Sequence, residues 1–129
     1  MYISTKKLIL DTEKYYKTLK SINCPAIGQQ VKFNRHGWNH LLYDGRDHRR
    51  SENQIRLRMF LFKFTSEVLQ EFKGYPLYES KKIKVGKAYI EVDYFELNHK
   101  IKSGKYIKII IRKFSDGECH YYSIRRGKK

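Results

Sequence analysis

A chain of 129 residues, 40% hydrophobic and 32% charged, has room for one domain, 1–129, with apolar mass enough for a folded core. Its 28 Lys and Arg against 13 Asp and Glu leave a net charge of +15, and 15% aromatic content excludes a disordered tail. No stretch approaches the roughly 18 apolar residues of a membrane span. The opening apolar run, Leu8-Ile9-Leu10 before Asp11, is too short for a secretory signal, so a cytoplasmic protein is expected.

In chain order, Lys6 to Ser21 carries Leu8, Ile9, Tyr15, Tyr16, Leu19 and Ile22 at helical spacing. Cys24-Pro25-Ala26-Ile27-Gly28 ends that helix, because the residue before proline is pushed out of the helical region. Residues 1–30 thus read as an N-terminal helical segment. Val31-Lys32-Phe33-Asn34 alternates like a short strand, and Asn34 is placed to cap a brief helix carrying Trp38, Leu41 and Leu42. Asp44 to Ser51 is a polar loop. From Glu52 to Lys73 a single long helix is predicted, with Leu57, Leu61, Phe64, Val68 and Phe72 on one stripe and Gly74 as its stop.

Beyond Pro76 the period changes. Leu77–Lys84, Lys87–Leu97, Lys105–Phe114 and Glu118–Arg126 are rich in Ile, Val, Tyr and Phe, and are separated by turn residues around Gly86, Gly104 and Gly117. Asp116-Gly117 is a tight-hairpin signal. Helices followed by four consecutive short strands predict an α+β fold, with N-terminal helices packed on a four-stranded antiparallel meander.

The two cysteines, Cys24 and Cys119, lie 95 positions apart (119 − 24), with neither a disulfide framework nor zinc spacing. Both read as reduced thiols, a single bridge being the alternative.

The positive charge is concentrated. Arg46 to Lys63 holds six basic side chains against two acidic, and Lys81 to Lys113 holds ten against three. Arg125, Arg126, Lys128 and Lys129 close the chain, the last two in a basic tail at 127–129. In the third strand Ile107, Ile109 and Ile111 share one face, while Tyr106, Lys108, Ile110 and Arg112 share the other. In the fourth, strict alternation puts Cys119, Tyr121, Ser123 and Arg125 on one side, with His120, Tyr122 and Ile124 on the other. Sheet faces mixing Lys, Arg and Tyr suit a nucleic-acid partner, whose phosphates and bases they hold and stack. A membrane surface would favour a basic amphipathic helix, which is missing.

His36 and His40 would share one face of a helix, but no Glu between them completes a metalloprotease pattern, and neither metal nor cofactor is expected. Cleavage of a phosphodiester needs proton transfer, which histidine suits, and charge stabilisation, which arginine and lysine suit. The candidates for that chemistry are His40 or His36, the Arg46, Arg49 and Arg50 cluster, Lys108 and Arg112, and His120, Tyr121 and Ser123, with Arg125 beside them.

Val31-Lys32-Phe33-Asn34-Arg35-His36-Gly37-Trp38-Asn39-His40-Leu41-Leu42 with Arg46, then Lys108-Ile109-Ile110-Ile111-Arg112-Lys113 and His120-Tyr121-Tyr122-Ser123-Ile124, together resemble the barnase–EndoU–colicin–RelE superfamily of small ribonucleases, in its phage-associated branch. The resemblance covers about residues 31–126, a nuclease-like core. It implies an active site on the open sheet face, His40 as general acid or base (with His36 or His120 as substitutes) and Ser123 as a phosphate contact. Arg46, Lys108 and Arg112 are charge stabilisers by chemistry. Residues 1–30 stand outside it as an added scaffold. It further implies RNA, of the tRNA or mRNA class, as partner in a toxin-like or phage effector role, and an acidic inhibitor or immunity protein. Three functions follow: a metal-independent endoribonuclease, a non-catalytic nucleic-acid-binding module, and a structural protein of a phage or mobile element.

Overall fold

The computed structural model describes residues 2–45, 47–115 and 117–129. Ser4 accepts a hydrogen bond from the Lys7 N–H and starts α1 (Thr5–Thr18). β1 (Ser21–Cys24) and β2 (Gln29–Lys32) form a hairpin, turned at Gly28 with φ of 75°. Asn34 caps α2 (Arg35–Leu42) through the Gly37 N–H, and Ser51 caps α3 (Glu52–Phe62). After α4 (Thr65–Glu71) come β3 (Leu77–Val85), β4 (Ala88–Lys100), β5 (Tyr106–Lys113) and β6 (Cys119–Arg126).

The class is α+β, and β3 to β6 form the expected antiparallel meander. The sheet, however, has six strands in the order β1-β2-β6-β5-β4-β3, and β2 runs parallel to β6. It is therefore mixed rather than four-stranded and antiparallel. The two additional strands come largely from the segment expected to be helical. Ile22 and Cys24 alternate with exposed Ser21 and Asn23, and only the extended form sends both apolar side chains into the core. Residues 1–30 are integral to that core: Tyr16 packs against Phe33, Trp38, Phe62 and Tyr121, with ring centroids 5.3 to 6.3 Å apart.

The predicted long helix is broken after Phe62. Thr65, fully buried, donates its hydroxyl to the Phe62 carbonyl, the kind of local side-chain bond that competes with helix continuation. The break lets α4 pack toward β1 while α3 crosses β6. The predicted Asp-Gly turn falls partly on Asp116, which lies outside the described residues. The strict alternation predicted for β6 also fails. Ile110 pairs with Ser123 and Ile111 with Tyr121, so Tyr122 is the extra residue of a β-bulge. Tyr121 and Ile124 consequently both face the core.

Candidate functional site

β2 pairs with β6 only at Val31–Cys119 and Lys32–His120. Past His120 the free edge of β6 is met by α2 and α3, and the Arg58 guanidinium donates to the Ile124 carbonyl at 2.7 Å. The approach of α2 is close because residue 37 is glycine. A Cβ there would lie 2.7 Å from the Tyr121 carbonyl oxygen and 2.7 Å from the Tyr16 hydroxyl. With Trp38 and Leu41 turned into the core, the opposite side of α2 carries His36 and His40 out over the bulge.

Tyr122 is the centre of what they meet. The His40 ring lies 4.4 Å from the Tyr122 ring and His36 stacks on it at 6.1 Å. The Arg112 guanidinium carbon sits 4.1 Å above the same ring. Arg112 donates to the Tyr94 hydroxyl at 3.2 and 3.0 Å, and its third nitrogen lies 3.1 Å from His36 Nε2. These groups, with Asn39, Tyr43, Asp44 and Gly45, surround a cleft of about 810 Å³.

Burial, followed by the repulsion of Arg50, Arg58 and His36, lowers the His40 pKa to about 4. Burial and then Arg112 lower that of His36 as well. Both rings are therefore neutral at pH 7. Arg50, only 7% exposed, donates to the His40 carbonyl at 3.0 Å and sits 3.4 Å from its Nδ1. Arginine is donor only, so Nδ1 accepts and the ring proton is on Nε2. By the same argument Arg112 holds the Nε2 lone pair of His36 and leaves its proton on Nδ1. The cleft thus offers an incoming group a guanidinium and imidazole N–H donors, a set suited to an anion with several acceptor oxygens.

His36, His40 and Arg112, all expected from the sequence, converge here. His120 is Arg112's register partner on the neighbouring strand, held by Asn34 at 3.1 Å and Glu118 at 3.5 Å. Arg49 is exposed at the edge of the loop, over the Tyr43 ring at 5.8 Å. Arg46 lies outside the described residues.

Of the expected quartet His40, Arg46, Lys108 and Ser123, the three described members, His40, Lys108 and Ser123, do not gather. Lys108 is four residues from Arg112 along β5, about 13 Å, and pairs with Glu96 at 3.7 Å. Ser123 is 3% exposed and its hydroxyl lies 3.5 Å from Arg58, which removes it from solvent. Tyr121, expected to face nucleic acid, is 1% exposed, because it lies opposite core-facing Ile111 and alternates with buried Cys119. Arg125 lines a second trough of about 450 Å³, shared with Ile110, Glu79, Glu96 and Lys81. Arg50 is buried beneath His40 rather than on the surface.

Tyr122, Tyr94 and Arg58 were not anticipated. A one-residue bulge leaves no reliable mark in a strand of alternating aromatics, and Arg58 reads as an ordinary solvated helix position.

No family model, curated protein or solved structure matches the chain significantly. Among the described residues no group of three or more His, Cys, Asp or Glu is placed to hold a metal ion, and no helix is long and apolar enough to cross a membrane.

Proposed function

We propose that the chain binds RNA with one backbone phosphate seated on Arg112 between His36 and His40, and cleaves it there as a metal-independent endoribonuclease. The observation carrying this reading is the convergence on one cleft of a strongly basic molecule of two imidazoles and a guanidinium that has no carboxylate partner among the described residues. The likeness to the small ribonuclease superfamily supports it, since that likeness also puts the site on the open sheet face.

In this mechanism Arg112 turns its fork onto the phosphate and so releases the Nε2 lone pair of His36. His36 takes the proton of the ribose 2′-hydroxyl, whose oxygen attacks phosphorus. A bound phosphate anion raises the pKa of His40. Nδ1 takes a proton from solvent as Arg50 gives up its contact there while keeping its bond to the His40 carbonyl, and the doubly protonated ring gives its Nε2 proton to the departing 5′ oxygen. The products are a 2′,3′-cyclic phosphate and a 5′-hydroxyl. Arg112 and the buried charge of Arg50 and Arg58 stabilise the crowded transition state.

A second reading, a non-catalytic RNA-binding module, is favoured by one observation. In the free protein both imidazole lone pairs face arginines, so neither histidine of the cleft is free to act as a base. Incubation with total RNA in EDTA separates the two. Discrete fragments that vanish in His40→Ala and Arg112→Ala, and persist in Lys14→Ala, identify the enzyme. Retention of RNA without cleavage identifies the binder.

A further inference from the structure

The hairpin of β3 and β4 extends past the rest of the sheet. β4 joins β5 only from Asp93, opposite Lys113, so residues 88–92 pair with β3 alone. β3 is an edge strand whose residues are all exposed except half-buried Ile83. The hairpin closes with two residues, Gly86-Lys87, Gly86 adopting φ of 63°. From Lys81 to the turn it reaches about 17 Å.

Within that arm, residues 81–92 contain Lys81, Lys82, Lys84 and Lys87 against one carboxylate, Glu91, which is the register partner of Lys82 and accepts from the Ser80 hydroxyl. Lys82, Lys84 and Lys87 form no ion pair among the described residues. Alternation sends Lys81 to the open face of the sheet and Lys82 and Lys84 to the reverse, with Lys87 at the tip. Exposed Tyr89 is the register partner of Lys84. The arm is also continuous with the cleft. Lys81 Nζ stands 5.3 Å from the ring of Tyr94, and the Tyr94 hydroxyl accepts from Arg112.

We propose that this arm is a second contact for the RNA strand, gripping the phosphates of nucleotides that run on from the one held by Arg112. The inference rests on the RNA reading above and adds to it where the longer strand goes. Cations on both faces and at the tip let a flexible single strand wrap the ribbon. A trinucleotide seated in the cleft would not reach the tip. The arm therefore governs affinity for long RNA and leaves short RNA untouched.

The test compares Lys82→Ala/Lys84→Ala/Lys87→Ala with a control of equal charge loss on α1, Lys6→Ala/Lys14→Ala/Lys17→Ala. Binding of a long fluorescent single-stranded RNA and of a trinucleotide is followed by anisotropy across a salt series. The arm variant is expected to bind the long strand about tenfold more weakly, with a log–log salt slope shallower by about 2, three phosphate contacts at about 0.7 each. Its trinucleotide affinity is unchanged, and the control moves far less. Equal losses in both variants would reduce the effect to net charge and overturn the proposal. An arm variant that binds long RNA normally but self-associates would overturn it too, assigning the lysines to protection of the β3 edge. Wild-type protein that binds no RNA of either length overturns the cleft reading and the arm together, whereas RNA binding lost in Arg112→Ala but not in the arm variant overturns the arm alone.

Discussion

Two hollows lie on the same open sheet face, and both contain strong cations. Around the trough by Ile110, lysines are matched locally: Lys81, in its lining, faces Glu79, and Lys108, farther along β5, faces Glu96, each at 3.7 Å. At the cleft, the donors of Arg112 end on a tyrosine hydroxyl and a histidine nitrogen, which are neutral acceptors. Net charge is common to the whole molecule, so it does not pick the anion site. What distinguishes the cleft is a guanidinium held by two neutral acceptors, facing two imidazoles and backed by Arg50 and Arg58, none of the three bonded to a carboxylate among the described residues. The trough's Arg125 instead shares its lining with Glu79 and Glu96 and with no imidazole. Lys108, by contrast, would have to leave Glu96 before holding a phosphate.

The cleft, unlike the trough, has α2 as a wall, and this gives the largest expected effect. Gly37→Ala forces a methyl against backbone, which cannot move aside as a long side chain does. The expected cost is about 3 kcal/mol in urea unfolding, with ring signals of His36 and His40 displaced and those of strands β3 and β4 unchanged. A variant of wild-type stability would mean that α2 does not sit against β6 this closely.

Arg112→Ala is expected to weaken binding of RNA by up to about a hundredfold, the loss of a charged bidentate contact. Lys108→Ala should change it by less than about threefold, since the half-buried ion pair with Glu96 already holds that charge. Equal effects at the two positions would erase the distinction between cleft and trough.

His40 gives the smallest effect, on stability. Its pKa is about 4 in the folded chain against about 6.5 when unfolded. The unfolded state therefore binds more protons between those values, and stability present above pH 6.5 is lost as pH falls toward 4. The loss is about 2 kcal/mol, with His36 adding to it in the same direction. Urea unfolding of wild type and His40→Gln near pH 7.5 and near pH 4.5 checks this, the variant losing less. Parallel losses would place His40 in an environment as wet as the unfolded chain's.

Much of this arrangement is legible in the residues. The cap at Asn34, the meander after Pro76, and the division of β5 into Ile107, Ile109 and Ile111 against Lys108 and Arg112 all follow from local chemistry and period. The pairing of β2 with β6 does not, because it joins residues some 88 positions apart (119 − 31) through two register pairs. Nor does the bulge at Tyr122, and that one extra residue decides the site. It brings Ile124 inward after Tyr121 and leaves Tyr122 between them against the two histidines. His40 was readable as a candidate base. The buried arginine that fixes its tautomer was readable only as part of a basic loop.

The most direct test follows the histidine ring signals by NMR during titration with a 2′-O-methyl oligoribonucleotide, which binds but lacks the attacking hydroxyl. The account predicts that His36 and His40 shift together and that both pKa values rise on binding, while His99, beside Phe72 on another part of the sheet, stays still. An oligonucleotide that binds without moving either ring, or that moves His99 instead, would contradict it.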